Sequence, residues 1–133
     1  MNVATSKEFI NESFERLHDA NVLLDAGSAK GAISNSYYAV FNAIAAVFVL
    51  EHDELPSKHE QLLGQFNKKY IYQQEDFDVK VSKIANSLYS MRISADYLNK
   101  RKVPLSEEQA IKAITDAQYV LNHIKIFLDE KCN

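Results

Sequence analysis

The sequence predicts an all-α protein: an antiparallel four-helix up-and-down bundle with one additional short helix. Three observations carry that expectation. From Ala32 to Glu51 the chain reads AISNSYYAVFNAIAAVFVLE, and between Tyr37 and Leu50 the only amide or charged side chain is Asn42. A helix built from such a run is apolar on nearly every face and belongs in the middle of a bundle. Elsewhere, apolar residues recur at alternating steps of four and three, the spacing of a helix seam. The chain holds only three glycines and two prolines, and they fall where that periodicity breaks, as long helices with short connections require.

Helix one opens at a Thr5–Glu8 capping box, in which hydroxyl and carboxylate satisfy each other's backbone amides. Ile10, Phe14, Leu17, Asn21 and Leu24 lay a stripe along it, and Gly27 ends it as a left-handed C-cap residue. Ser28 caps the central helix. Its uninterrupted apolar run is shorter than the ~20 residues a bilayer needs, so it reads as bundle core and no membrane is expected. His52 to Pro56 forms a loop, and Ser57 with Glu60 makes a second capping box opening a short helix through Leu62, Leu63 and Phe66. Tyr70 to Gln74 reads as a connection carrying two half-buried rings. Phe77, Val81, Ile84, Leu88, Met91, Ala95 and Leu98 give helix four the cleanest periodicity in the chain. It runs into Lys100, Arg101 and Lys102, cations suited to a helix C-terminus, and Pro104 stops it. Ser106 and Gln109 form a third capping box, and Ala110, Ile114, Ala117, Leu121, Ile124 and Leu128 line helix five. The whole chain, 1–133, reads as one domain without repeat or linker.

Composition narrows the function classes. With 47% hydrophobic and 25% charged residues the chain folds rather than remaining disordered. Fifteen Lys and Arg against eighteen Asp and Glu give a net charge of -3, so no global positive field draws it to nucleic acid. No DNA binding is expected, and any RNA contact has to come from a local patch. The one cysteine, Cys132, excludes an internal disulfide and fits a reducing compartment. The opening MNVATSKEF lacks the basic and apolar regions of a signal peptide, and the expected location is cytoplasmic. No cofactor or metal is expected. Gly27, Gly31 and Gly64 are too far apart for a phosphate loop, and Glu15–His18 is a lone Glu-x-x-His pair where a di-iron bundle needs two. His52, His59 and His123 lack zinc spacing.

What remains is a polar and aromatic edge. Tyr89, Arg92, Asp96 and Asn99 share one face of helix four, and Asn35, Tyr38 and Asn42 share one of helix two, with Tyr37 and Phe41 adding ring area. Two readings stand. In one, Arg92 and Asp96 are an intrahelical pair and the tyrosines cap the core or face a second copy. In the other, the two edges face each other across a cleft that binds a nucleotide or RNA.

Three segments together resemble the small stand-alone HEPN proteins: Ala32-Ile33-Ser34 to Tyr37-Tyr38-Ala39-Val40-Phe41-Asn42-Ala43, then Ser57-Lys58-His59, then Arg92-Ile93-Ser94-Ala95-Asp96-Tyr97. The resemblance spans nearly the whole chain. It implies a HEPN four-helix bundle with an extra short helix, a homodimer, and a fold similar to the helical domain of kanamycin nucleotidyltransferase. It also implies action beside a minimal nucleotidyltransferase as its partner or substrate-presenting subunit, in some cases within a toxin–antitoxin module. The residues it assigns to a nucleotide or ligand contact are Tyr38, Asn42, His59, Arg92, Asp96 and Tyr97. Ribonuclease members carry an Arg-x4-6-His motif, and here that spacing from Arg92 reaches Tyr97, Leu98 or Asn99. No catalytic residue is therefore assigned. The alternatives are a divergent ribonuclease toxin using Arg92 with Tyr97 or His59, and a purely structural helical adaptor. Asn42 stands where relatives often have histidine, Asn35 or Ser36 where they often have arginine, and His59 matches the family pattern.

Overall fold

A helix this apolar is stable in water only when its neighbours cover it, and the architecture follows from that requirement. The computed structural model describes the backbone of residues 1–100 and 105–132 and, within these, all side chains except those of 94–100. Five α-helices run in the order α1 (Val3–Asp25), α2 (Ala29–Val49), α3 (His59–Phe66), α4 (Val79–Lys100) and α5 (Glu107–Cys132), and a π-helix (Asn67–Gln73) continues α3. Among the described residues there is no strand. α2 packs against each of the other four α-helices, and every residue from Ala43 to Leu50 is buried. By length and hydropathy α2 could cross a membrane, yet its most apolar window is 78% buried inside the bundle. It is the core helix.

α1 and α2 approach closely because small residues line both. Ser6, Ser13 and Ala20 on α1 are buried, as are Ala32, Ser36, Ala39, Ala43 and Ala46 on α2. The Ser6 hydroxyl donates to the Ala46 carbonyl at 2.7 Å, tying the two backbones. Ser13 and Ser36 donate to Ile10 and Ala32 of their own helices at 2.7 and 2.8 Å, so neither hydroxyl is buried unpaired. Ile10 and Leu17 keep their places in the expected stripe, while Asn21 is exposed. Phe77, Val81, Ile84 and Leu88 pack into the core from the α4 side. Five of the six residues expected to line α5 are buried, and Ile114 is half-buried.

The helix ends both match and correct the sequence reading. Ser28 Oγ accepts from the Gly31 amide at 3.1 Å, and Gly27 adopts φ +85° to turn α1 into α2. The Ser106–Gln109 box is formed in both directions. The Thr5–Glu8 box is not: α1 starts at Val3 after Asn2, whose amide donates to the Leu50 carbonyl, so a tertiary tie sets the helix start. The Ser57–Glu60 box is also absent, since Lys58 precedes α3 and the Glu60 carboxylate accepts instead from the Tyr89 hydroxyl.

Tyr70 to Gln74 is no loose connection. Tyr70 is completely buried in the π-helix while Tyr72 is 66% exposed. The Tyr70 hydroxyl donates to Glu51, and burial followed by that carboxylate pushes its pKa well above the usual phenol value. Residues 101–104, with Arg101, Lys102 and Pro104, lie outside the described residues, as do the side chains of Ala95, Leu98 and Lys100.

Ser28→Ala is expected to cost about 1 kcal/mol by removing the α2 cap, whereas Thr5→Ala, exposed in the first turn of α1 and not its cap, stabilises by a few tenths. A Cβ added at Gly64 meets nothing within 4 Å, so Gly64→Ala raises stability by roughly 1 kcal/mol. Urea denaturation of the three variants measures all of these.

Candidate functional site

Adjacent positions on a helix point about 100° apart, so of Tyr37 and Tyr38 one ring turns into the core and the other stays at its edge. Tyr37 is completely buried and Tyr38 half-buried, with centroids 4.9 Å apart at 77°. Phe41, one turn on, lies 4.8 Å from Tyr37. His59, the first residue of α3, stacks on Phe41 at 4.8 Å and 21°, and its Nδ1 pairs with the Tyr37 hydroxyl. From α4 comes Tyr89, 6.0 Å from Tyr37, and one turn later Arg92, whose Cζ sits 5.0 Å from the centroids of both Tyr37 and Tyr38.

A second cation completes the cluster. Arg16 of α1 places its Cζ 5.6 Å from the Tyr38 ring. Its Nε donates to Glu12 at 2.9 Å and its Nη1 to Asn35 Oδ1 at 3.5 Å. Asn35 in turn donates to the Gly31 carbonyl at 2.9 Å, which fixes the amide that steadies the guanidinium. Two arginines from helices that barely touch each other thus converge on one tyrosine of α2. Each such contact contributes about 0.5–1 kcal/mol where exposed and more where desolvated.

Charge in the cluster is divided cleanly. Burial, and secondarily the Arg92 cation, lowers the His59 pKa. The ring is neutral at physiological pH. Burial pushes the Tyr37 phenol up to about 12, with Arg92 pulling the other way. With both groups neutral, the pair is assigned as Tyr37 O–H donating to Nδ1, which leaves the proton of His59 on Nε2. The Tyr89 phenol is raised by its hydrogen bond to Glu60. The cluster therefore presents fixed positive guanidiniums beside neutral rings.

Of the residues expected to form a ligand contact, Tyr38, His59 and Arg92 come together. Asn42 lies one turn beyond Tyr38, and its amide donates to the Tyr38 carbonyl at 2.8 Å, so that donor is engaged by its own helix. The Asp96, Tyr97 and Asn99 side chains lie outside the described residues. Glu15 and His18 are exposed on α1, and among the described residues no three His, Cys, Asp or Glu side chains gather as a metal site. Arg16 was not expected, although a signal for it exists. It precedes Gly27 by the same number of residues as Tyr38 follows it, and in a helical hairpin such positions lie level.

His59 makes stability pH-dependent in a definite direction. Because its folded pKa is lowered, the unfolded chain takes up the proton first. The stability is complete above the ordinary histidine value near 6.5 and is lost as pH falls through the folded value. Urea midpoints measured from about pH 7.5 down to about pH 5 are expected to fall more steeply for the native protein than for His59→Asn, which keeps an acceptor for Tyr37 and does not titrate.

A family model of the HEPN domain matches residues 6–127. No curated protein and no solved structure gives a significant match. Because the matched span takes in α2, α3 and α4 together with the tyrosine–arginine cluster they build, the chain belongs to the HEPN domain family.

Proposed function

We propose that this HEPN-domain protein is the cytoplasmic partner subunit of a nucleotidyltransferase, acting as a homodimer within a two-component, toxin–antitoxin type module. Its cleft holds the phosphates of a nucleotide substrate. The observation that carries this reading is the pair of guanidiniums, Arg92 and Arg16, brought within 6 Å of the Tyr38 ring from two different helices. In a chain of net charge -3, the Arg92 cation, with Arg16 beside it partly balanced by Glu12, gives local rather than global affinity for anions. Arg92 offers the planar fork that suits phosphate oxygens, and the half-buried Tyr38 face offers a platform for a ring. Ile93, next to Arg92, is 45% exposed, which suits a second copy along that edge of α4.

The ribonuclease alternative requires His59 to carry protons. Its Nδ1 is taken by Tyr37 and its cationic form is disfavoured by burial and by Arg92, so the geometry favours binding over proton transfer. The test is calorimetric titration with ATP together with incubation with total RNA. ATP is expected to bind the native protein, and Arg92→Ala and Arg16→Ala are each expected to weaken it about tenfold. RNA is expected to remain intact. ATP binding insensitive to both substitutions, or RNA cleavage that disappears in Arg92→Ala, overturns the proposal. Co-purification with the product of the adjacent gene tests the partnership, and a neighbour without nucleotidyltransferase activity counts against it.

A further inference from the structure

One buried ring joins the histidine of the cluster to its α4 arginine. Tyr37 is completely buried, its hydroxyl pairs with His59 Nδ1, and the Arg92 guanidinium lies 5.0 Å from the centroid of the same ring. The His59 centroid is 5.5 Å from that of Tyr37 on α2. Charges separated by a buried side chain are screened less than charges separated by water, so a change of charge at Arg92 is felt at the imidazole.

Three features disfavour the imidazolium in the cluster. Burial comes first and the Arg92 cation second. The third is the position of His59 as the first residue of α3, at the positive end of the helix dipole. An anion held by Arg92 reverses the second of them. The other charged and titratable groups around His59 are, among the described residues, few. From α2 comes Tyr38, whose centroid is 6.4 Å away. α4 adds Tyr89, bonded to Glu60, and α3 itself carries Lys58 and Glu60, both exposed. Arg16 of α1 lies over Tyr38 and is paired with Glu12. Of these residue types histidine alone ordinarily changes charge between pH 5 and 8.

Resting on the anion reading of the Arg92 cleft, we infer that the site binds its phosphate together with a proton, which His59 accepts on Nδ1 when a dianion occupies Arg92. The proton comes from water, and one N–H bond forms. The hydrogen bond to Tyr37 then reverses: Nδ1–H donates to the phenol oxygen, and the phenol hydrogen is released for another acceptor. A phosphate oxygen at Arg92 is such an acceptor. Tyr37 is thus the positioning residue through which imidazole and guanidinium act as one site. Linkage is reciprocal, so an anion that favours the proton is favoured by it. Affinity rises as pH falls through the liganded His59 value and levels off below the unliganded one, opposite in direction to the stability of the unliganded protein.

NMR titration of the four histidines with and without inorganic sulfate tests this. Sulfate stays a dianion across the range, and chloride supplies the ionic-strength control. The His59 signal is identified by its loss in His59→Asn and, independently, by elimination with His18→Asn, His52→Asn and His123→Asn. Sulfate is expected to raise the pH midpoint of His59 by about 0.5–1 and to leave the other three in place. In calorimetry the native protein is expected to bind sulfate about three- to tenfold more tightly at about pH 5.5 than at about pH 7.5, and His59→Asn equally at both. A His59 midpoint that sulfate does not move, or the same tightening in His59→Asn, overturns the coupling. The anion cleft then stands if ATP binding is lost in Arg92→Ala. A native protein that binds neither sulfate nor ATP overturns both.

Discussion

The burial of α2 on all sides is the constraint on which the rest of the molecule depends. A helix with one apolar stripe can lie on a surface, but from Ala43 to Leu50 every residue of this segment is buried, and exposing any face would return roughly 25 cal/mol per Å² of apolar area to water. α1, α4 and α5 all pack on α2, with α1 reaching its far end through Ser6 and Ala46. Covering Phe41 requires a further element, and α3 supplies it by laying the His59 ring over the phenylalanine. The position of the only histidine in the cluster is thus a consequence of core packing. Its hydrogen bond to Tyr37 follows, because a completely buried phenol needs a partner.

The same constraint explains the position of the cations. Tyr37 fills the core, so its neighbour Tyr38 is carried to the seam where α1 and α4 border α2. Arginine is the cation that tolerates such a seam, because its guanidinium is weakly hydrated and lies flat on rings. Arg16 is further restrained by Glu12 and Asn35. A neutral imidazole beside Arg92 adds no competing charge. Anion affinity here is a product of ring placement, and it coexists with an acidic protein.

The long periodic segments were legible in the sequence because one force, burial of large side chains at steps of four and three, determined them. Ser28, Gly27 and the Ser106–Gln109 box were legible because nothing tertiary competes at those ends. Where something did compete, the local signal lost. Thr5 and Glu8 are an acceptable cap, but Asn2 is held to Leu50 and the helix begins earlier. Ser57 cannot recruit Glu60, because that carboxylate is held by Tyr89 of α4. The small-residue face of α1 escaped notice since serine reads as polar until its hydroxyl is seen bonded to a carbonyl. Within the site, Tyr38, His59 and Arg92 could be singled out by residue type and resemblance. Arg16 could be found only by counting residues away from the Gly27 turn.

The departures from regular structure are concentrated rather than scattered. Within the stretch 64–75 lie a helical glycine that packing does not require, an asparagine oxygen without a donor among the described residues, a π-helix and the positive φ of Glu75. Each costs stability, and the remainder of the bundle is regular enough to absorb them. A protein selected for stability alone has simple remedies, since alanine at 64 and an apolar side chain at 67 are single substitutions. Local rules broken together at one place, while the rest of the chain obeys them, mark a site whose requirements compete with folding. Asn67 and Gly64 line one hollow with Phe41 and Tyr89, the two rings that flank Tyr37, so the irregular stretch borders the aromatic cluster that Arg92 joins.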